Sequence, residues 1–327
     1  MKLTRLLTSI LLFLLVGMGS TVDAVGKKSS KSLRILVWNI QNGMWDGQPD
    51  NYNRFVEWVN EVSPDICIFC EASTIYYTGT DKVMPKGKRY LPDHWGELAA
   101  RFGHEHWFKG MQRDNYPQVV TSRFPIDSIA VFAGNADTVV VHGSGWAQVR
   151  VPGVAKPINV VPMHTKPKNY AFGIPKEMRE ESSARYDGAY HRRNEIKYVC
   201  EHTILKSEDP DSEYWIFAGD FNAPSRLDNW HLKKSETLQL FVPHDYIHSE
   251  TPYIDVVAEC FPGMFFPSHG KSRIDFVYMN RNLFKGVKNV YAEPDEYTRR
   301  VASGIGKFFR PSDHYPVIVD INLKKLK

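Results

Sequence analysis

The chain has 327 residues, of which 43% are hydrophobic and 13% aromatic. That is enough apolar material for one large core, and it excludes a disordered chain. The formal net charge is only +4, and Lys2, Arg5, Lys27, Lys28 and Lys31, set against Asp23, account for all of it, so composition gives no support for the broad basic surface on which sequence-independent nucleic-acid binding rests.

Residues 1–24 read as a secretory signal peptide. Lys2 and Arg5 give a positive start, Leu6 to Val16 is apolar apart from Thr8 and Ser9, and Val22-Asp23-Ala24 fits a small-x-small cleavage site. The apolar run is short for a membrane span. A secreted or periplasmic protein is therefore expected, in preference to one held by an uncleaved anchor. Residues 25–32 form a polar, flexible lead-in, and residues 33–327 are expected to fold as one α/β domain.

Residues 33–38 predict a strand that exits through Asn39-Ile40-Gln41-Asn42-Gly43. Phe55, Val56, Trp58, Val59 and Val62 recur at helical spacing, predicting a helix over 52–62 that Ser63-Pro64-Asp65 stops. Residues 66–69 are the next buried strand, with Glu71 just beyond it. Cys67 and Cys70 lie three apart on that strand and so face opposite sides, which suits buried thiols better than a shared metal or a bridge. A Cys200–Cys260 disulfide is an open alternative for an exported chain. A helix is expected near 95–102, and strands over 118–122 and 129–132. Residues 146–151 and 158–163 pair as a hairpin around Pro152-Gly153, the second delivering His164. Residues 166–188 form a long polar connection, and 190–205 a helix. Residues 214–218 form a strand running into Gly219-Asp220-Phe221-Asn222. The last strands are 274–279 and 317–321.

Polar residues stand repeatedly at the ends of apolar strands: Asn39, Glu71, His164, Asp220 with Asn222, and Asp313 with His314, while Asp275 lies near the start of its own strand. Catalytic groups gather on loops at one sheet edge. One such residue is usually a turn or cap, but so many in one chain point to a site. Glu71, Asp220 and Asp313 offer hard oxygens, with Asn39 and Asn222 as neutral carbonyls, a set that suits Mg²⁺ or Mn²⁺ rather than zinc. Beside two histidines, such an ion suits hydrolysis of a phosphate ester. No P-loop and no Gly-Xaa-Ser-Xaa-Gly elbow is present.

In these motifs the chain resembles the endonuclease/exonuclease/phosphatase superfamily, which includes DNase I-like nucleases, neutral sphingomyelinases and inositol-polyphosphate 5-phosphatases. The resemblance rests on Trp38-Asn39-Ile40, Pro64-Asp65-Ile66-Cys67 leading to Glu71, Ser122-Arg123-Phe124-Pro125-Ile126, His164, Gly219-Asp220-Phe221-Asn222, Arg273-Ile274-Asp275 and Ser312-Asp313-His314-Tyr315-Pro316-Val317, over residues 33–323. It implies a four-layer α/β sandwich, two mixed β-sheets packed face to face with helices outside. It implies Glu71 as main metal ligand, helped by Asn39 and Asp313. Asp220 would activate the attacking water and take part in metal binding, and Asn222 would hydrogen-bond the phosphate. His314, oriented by Asp275, would contact phosphate or act as base, and His164 would stabilise the transition state or protonate the leaving group. Cys70 departs from the glutamine that often precedes the metal-binding glutamate, and the catalytic tyrosine of abasic-site enzymes has no evident counterpart.

An exported, divalent-metal-dependent phosphodiesterase or phosphatase is thus expected. An extracellular nuclease and a non-catalytic protein retaining the fold are the alternatives. Its partner would be a phosphate-ester substrate, lipid-linked or nucleic acid, met by a monomer with no obligate protein partner. Residues 261–267 offer an apolar loop, read first as core and second as a lipid contact. Lys166 and Lys168 are expected in a solvated loop, with contact to extra phosphates as the alternative, and Trp95, His104, His106 and Trp107 either line a cleft or pack the middle of the chain.

Overall fold

Side-chain alternation along the strands sets the layering. In β1 (Ser32–Asn39), Ile35 and Val37 join one buried cluster while Leu36 and Trp38 join another. In β2 (Ile66–Cys70) the same split divides Ile66 and Ile68 from Cys67 and Phe69. Strands covered on both faces carry continuous apolar runs, as these do. The computed structural model describes residues 25, 28–29, 31–133, 139–167, 188–231, 233, 238–299 and 310–326. The predicted signal peptide, residues 1–24, lies outside the described residues, as does Lys168.

The later strands are β3 (His106–Lys109), β4 (Val119–Ser122), β5 (Ile126–Phe132), β6 (Ser144–Val149), β7 (Ile158–His164), β8 (Tyr214–Asp220), β9 (Tyr253–Asp255), β10 (Asp275–Asn280), β11 (Val287–Tyr291) and β12 (Val317–Asn322). With β1 and β2 they form two six-stranded sheets, ordered β11–β12–β1–β2–β4–β3 and β5–β6–β7–β8–β10–β9. Each sheet has one parallel pair at its centre, β1 with β2 and β7 with β8, and antiparallel neighbours elsewhere. The two orders are the same order. Replacing β11, β12, β1, β2, β3 and β4 by β5, β6, β7, β8, β9 and β10 turns one sheet into the other.

The sheets pack face to face through Val37, Ile68 and Val120 on one side and Val160, Ile216, Ala218 and Val277 on the other. Helices Asn53–Val62 and Trp95–Ala100 cover the outer face of the first sheet through Phe55, Trp58, Val59, Trp95 and Leu98. Helices Ala189–Glu201 and Val242–Glu250 cover the second through Ile196, Val199, Cys200 and Ile247. Two mixed sheets with helices outside form the expected α/β sandwich. Each fully buried Val, Leu, Ile or Phe contributes about 1.5–3 kcal/mol.

The expected strands and hairpin are present, with no end shifted by more than three residues. Strands β3, β9 and β11 escape sequence reading because they are short and lie at sheet edges, where a two-sided apolar run is not needed. The helix expected over 190–205 ends at Glu201, and a 3₁₀ turn, Ile204–Lys206, follows. In the predicted lead-in, Lys28 pairs with Asp65 at 2.7 Å and β1 already begins at Ser32. All four cysteines are free thiols, so Cys200 and Cys260 are not bridged.

Gly219, beside Asp220, has φ of +140°, and a Cβ there would lie 2.0 Å from the Met163 carbonyl oxygen and 2.9 Å from Cys70 Sγ. This close approach seats the end of β8 against β7 and β2. Gly219→Ala should destabilise the protein by about 3 kcal/mol or more, read as a lowered urea midpoint. An unchanged midpoint would show that the strands have room to separate.

Candidate active site

Because β1, β2, β7 and β8 run in pairs, their C-terminal ends open at one edge of the sandwich, where the antiparallel β4, β6, β10 and β12 begin. Asn39 ends β1, His164 ends β7 and Asp220 ends β8. Glu71 follows β2, Asp275 opens β10, and Asp313 and His314 precede β12. A cleft of about 510 Å³ lies over this edge, lined by Glu71, His164, Asp220, Asn222, Asp313 and His314 among others. Asn39 and Asp275 sit directly behind these side chains.

The backbone turns sharply to present them. Glu71 and Asn222 adopt left-handed φ of 54° and 47°, and Gln41, Asn42 and Gly43 follow with 40°, 55° and 64°. Such angles in non-glycine residues cost energy and cluster at functional sites. Local bonds hold them. Asn42 N–H donates to Glu71 Oε2 at 3.0 Å, and Gly43 N–H to the Glu71 carbonyl at 2.7 Å. Asn222 N–H donates to Asp220 Oδ1 at 2.8 Å, and its amide donates to the Thr165 carbonyl at 3.0 Å. Ser312 Oγ–H donates to the Asn39 carbonyl at 2.5 Å and accepts from His314 N–H at 3.0 Å, tying β12 to β1.

Asn39 joins the sheets. Its Oδ1 accepts from Gln41 N–H at 3.0 Å, so its NH₂ faces the acids, donating to Asp220 Oδ2 at 2.9 Å and to Glu71 Oε1 at 3.3 Å. Sequence reading expected a neutral carbonyl ligand here; this geometry offers a donor that orients two carboxylates. His164 Nε2 and His314 Nε2 stand 3.7 Å and 3.9 Å from the same Asp220 oxygen. His314 Nδ1 meets Asp275 Oδ2 at 2.7 Å, and Ser268 Oγ accepts the Asp275 N–H at 3.0 Å.

Burial and crowding set the charges. Asp220 is raised to about 7 by burial first and by neighbouring Asp275 second. Glu71 is raised by burial and then by the Asp313 charge. For His314 burial works downward, but Asp275, Asp220 and Asp313 outweigh it and carry it to about 10. His164 is pushed well below its ordinary value by burial and by His142 and His314. Asp313, against the pull of burial, falls to about 2 through His269, His314 and Arg310. The two expected histidines therefore differ: three carboxylates favour the charged ring at His314, whereas burial and neighbouring imidazoles favour the neutral ring at His164.

The donor set fits a hard divalent cation. Two carboxyls, Glu71 and Asp220, are held above their ordinary range, a penalty that a cation among them would relieve. Among the described residues no lysine or arginine pairs with Glu71. Asp313 lies in the same cleft and adds a third carboxylate.

The structure adds residues that sequence reading missed. Tyr116, His142, His269, Gln41 and Asn42 also line the cleft. Gln41 and Asn42 belong to a polar strand exit, a signal that was visible. His142 and His269 precede or interrupt elements and carry no periodic signal. Trp95, His104, His106 and Trp107 do not line the cleft. Trp95 donates to the Ala72 carbonyl beneath the helix layer, and His104 bonds Thr121 and the Pro64 carbonyl. Lys166 is buried rather than solvated. In the 261–267 loop, Phe261 and Phe266 pack on the core whereas Met264 and Phe265 are 57% and 46% exposed.

Comparison with known proteins agrees with this geometry. The fold resembles that of a 3′ phosphatase, NExo, from Neisseria, solved bound to product DNA hairpin (TM-score 0.54, 15% identity, covering 88% of this chain and 99% of that one). It also resembles an AP endonuclease from Archaeoglobus fulgidus (TM-score 0.53, 15% identity, 88% of this chain and 98% of that one). A humanized TDP2 from D. rerio gives a TM-score of 0.50 at 16% identity, over 90% of this chain and 100% of that one. At these identities the likeness establishes the fold alone. No curated protein sequence matches the chain. The sequence profile described as Endonuclease/Exonuclease/phosphatase family matches residues 36–314, and with strand ends, motif order and cleft in agreement, the chain belongs to that family.

Proposed function

We propose that the protein is an exported phosphoesterase that uses Mg²⁺ or Mn²⁺ to hydrolyse a P–O bond by attack of water. Membership of a family of phosphoester hydrolases supports the reaction class. The observation that carries the proposal is the setting of Asp220: a carboxyl raised to about 7, with its Oδ2 among Asn39 Nδ2, His164 Nε2 and His314 Nε2. A buried carboxylate at the floor of the cleft, with two imidazoles close to one of its oxygens, is placed to orient a water molecule and take its proton.

The roles follow from charge and position. Glu71 and Asp313, with Asp220, would hold the cation, which would neutralise phosphoryl charge. Asn39 keeps Glu71 and Asp220 apart and oriented. Asp220 takes the proton of the attacking water. His314, charged and braced by Asp275, donates to a phosphate oxygen, as does the Asn222 amide. His164, neutral, donates an N–H hydrogen bond to oxygens that gain charge in the transition state. The near-neutral folded part favours a small or lipid-linked ester over nucleic acid. Export rests on residues 1–24, and N-terminal sequencing of secreted protein should find Val25 first; a chain still beginning at Met1 would reject cleavage there.

The mature chain should hydrolyse at least one of bis-p-nitrophenyl phosphate, p-nitrophenyl phosphate, inositol phosphates, sphingomyelin, RNA or DNA with Mg²⁺ or Mn²⁺. Glu71→Ala should lower kcat/KM about 100-fold or more, and EDTA should abolish turnover reversibly. Full activity after thorough chelation would reject the metal mechanism.

The charge on His314 has a separate signature. Its folded-state pKa of about 10 lies above the ordinary 6.5. The stability it contributes is therefore complete below about 6.5 and is lost as pH rises through about 10. In EDTA, stability should fall between pH 7 and 9 by up to about 1.4 kcal/mol per pH unit, and His314→Gln should flatten that slope. An equal slope in the variant would place the proton elsewhere.

A further inference from the structure

The likeness of the two sheets extends to their chemistry. His314 stands just before β12 in the first sheet and is held by Asp275, which opens β10 in the second. Under the exchange that relates the sheets, β12 corresponds to β6 and β10 to β4. Just before β6 stands His142, and in the loop before β4 stands Asp114. His142 Nδ1 meets Asp114 Oδ2 at 2.7 Å. Each dyad thus takes its histidine from one sheet and its carboxylate from the other, and each opens on the same edge.

The second dyad is built as firmly as the first. His142 is 1% exposed and Asp114 7%. Asp114 Oδ1 accepts from Tyr116 N–H at 2.8 Å, leaving Oδ2 for the imidazole. Glu195 Oε1 accepts the N–H of Val141 at 2.8 Å, and its Oε2 accepts that of Lys166 at 2.8 Å. One buried carboxyl therefore anchors the chain just before His142 and just after His164. The two rings stack, with centroids 4.2 Å apart and planes at 25°. His142 lines the cleft, yet its Nε2 has no partner among the described residues. A buried polar atom without a partner is costly. On a residue that lines the cleft, it is placed to receive a ligand.

We propose that His142, held by Asp114, is a second imidazole donor to the substrate's phosphate, gripping it from the side of the cleft opposite His314. This rests on the reading of the cleft as a phosphoesterase site. With Nδ1–H given to Asp114, a protonated ring turns Nε2–H toward an anion. The Asp114 charge favours that protonated form and, despite burial, raises the ring above its ordinary pKa. Two imidazoliums from two sheets match a group with several anionic oxygens, namely a phosphate ester or the phosphate released from it. Asp114 is a positioning residue; His142 is the one that touches substrate.

Inorganic phosphate is the probe. It is titrated into the mature wild type, His142→Ala, His142→Asn and Asp114→Asn, in Mg²⁺, while ring ¹⁵N–¹H signals of the histidines are followed by NMR. Phosphate should move the His142 signal in wild type. His142→Ala should weaken phosphate binding about tenfold or more, as expected for loss of a charge-assisted hydrogen bond. Asp114→Asn should weaken it less, and His142→Asn, which keeps a neutral donor, should lie between wild type and alanine. On an ester that turns over, His142→Ala should raise KM by a larger factor than it lowers kcat. Equal phosphate affinity in wild type and the folded His142 variants, or a His142 signal that does not respond, overturns the proposal. If no ester is hydrolysed by wild type, the functional reading fails, but the phosphate titration still decides His142. Should His142→Ala not fold, His142→Asn and the wild-type signal carry the decision.

Discussion

One amide governs the site. The Asn39 NH₂ lies between Glu71, carried past the end of β2, and Asp220, at the end of β8 in the other sheet. Two acids brought together in a buried place repel, and each resists ionisation. A neutral donor between them lowers that cost without cancelling the negative field that attracts a cation. Its orientation is not free, because Gln41 N–H occupies the oxygen. The left-handed turn from Gln41 to Gly43 supplies that N–H and also the Asn42 N–H bound to Glu71. Local strain and site geometry are therefore one arrangement.

The same crowding separates chemically similar residues into different roles. His164 and His314 approach one oxygen of Asp220 at similar distances. Only His314 has a carboxylate on its far nitrogen, and that difference favours its charged form while burial favours the neutral form of His164. Among the acids, Asp313 is relieved by His269, His314 and Arg310, whereas Asp220 is pressed by Asp275. Family resemblance left open which histidine carries the proton. The residue on the far side of each ring is what sets the two apart.

Sequence reading located the site because strand ends carry a local signal. An apolar run followed by Glu71, or by Asp220 and Asn222, is visible in a few residues. It failed on His142, Asp114 and His269, whose neighbours show no such pattern. It also gave the wrong surroundings for Lys166, since burial depends on which elements fold over a segment. The duplicated strand order was invisible for a related reason: a strand buried on both faces needs only an apolar run, which many residue choices satisfy, so two halves can share a topology without sharing a sequence pattern.

The sequence by itself determined that strands alternate with helices, that polar groups terminate the central strands, and that those groups suit metal-assisted phosphate chemistry. These follow from periodicity and residue type, which act over short stretches of chain. Only the tertiary structure decided that Asn39 is a bridge, that carboxylates surround His314 while burial dominates at His164, and that a second histidine dyad opens on the same cleft. Those properties depend on distances between residues far apart in the chain, and on the loss of water around them. Neither is defined until the two sheets close on each other.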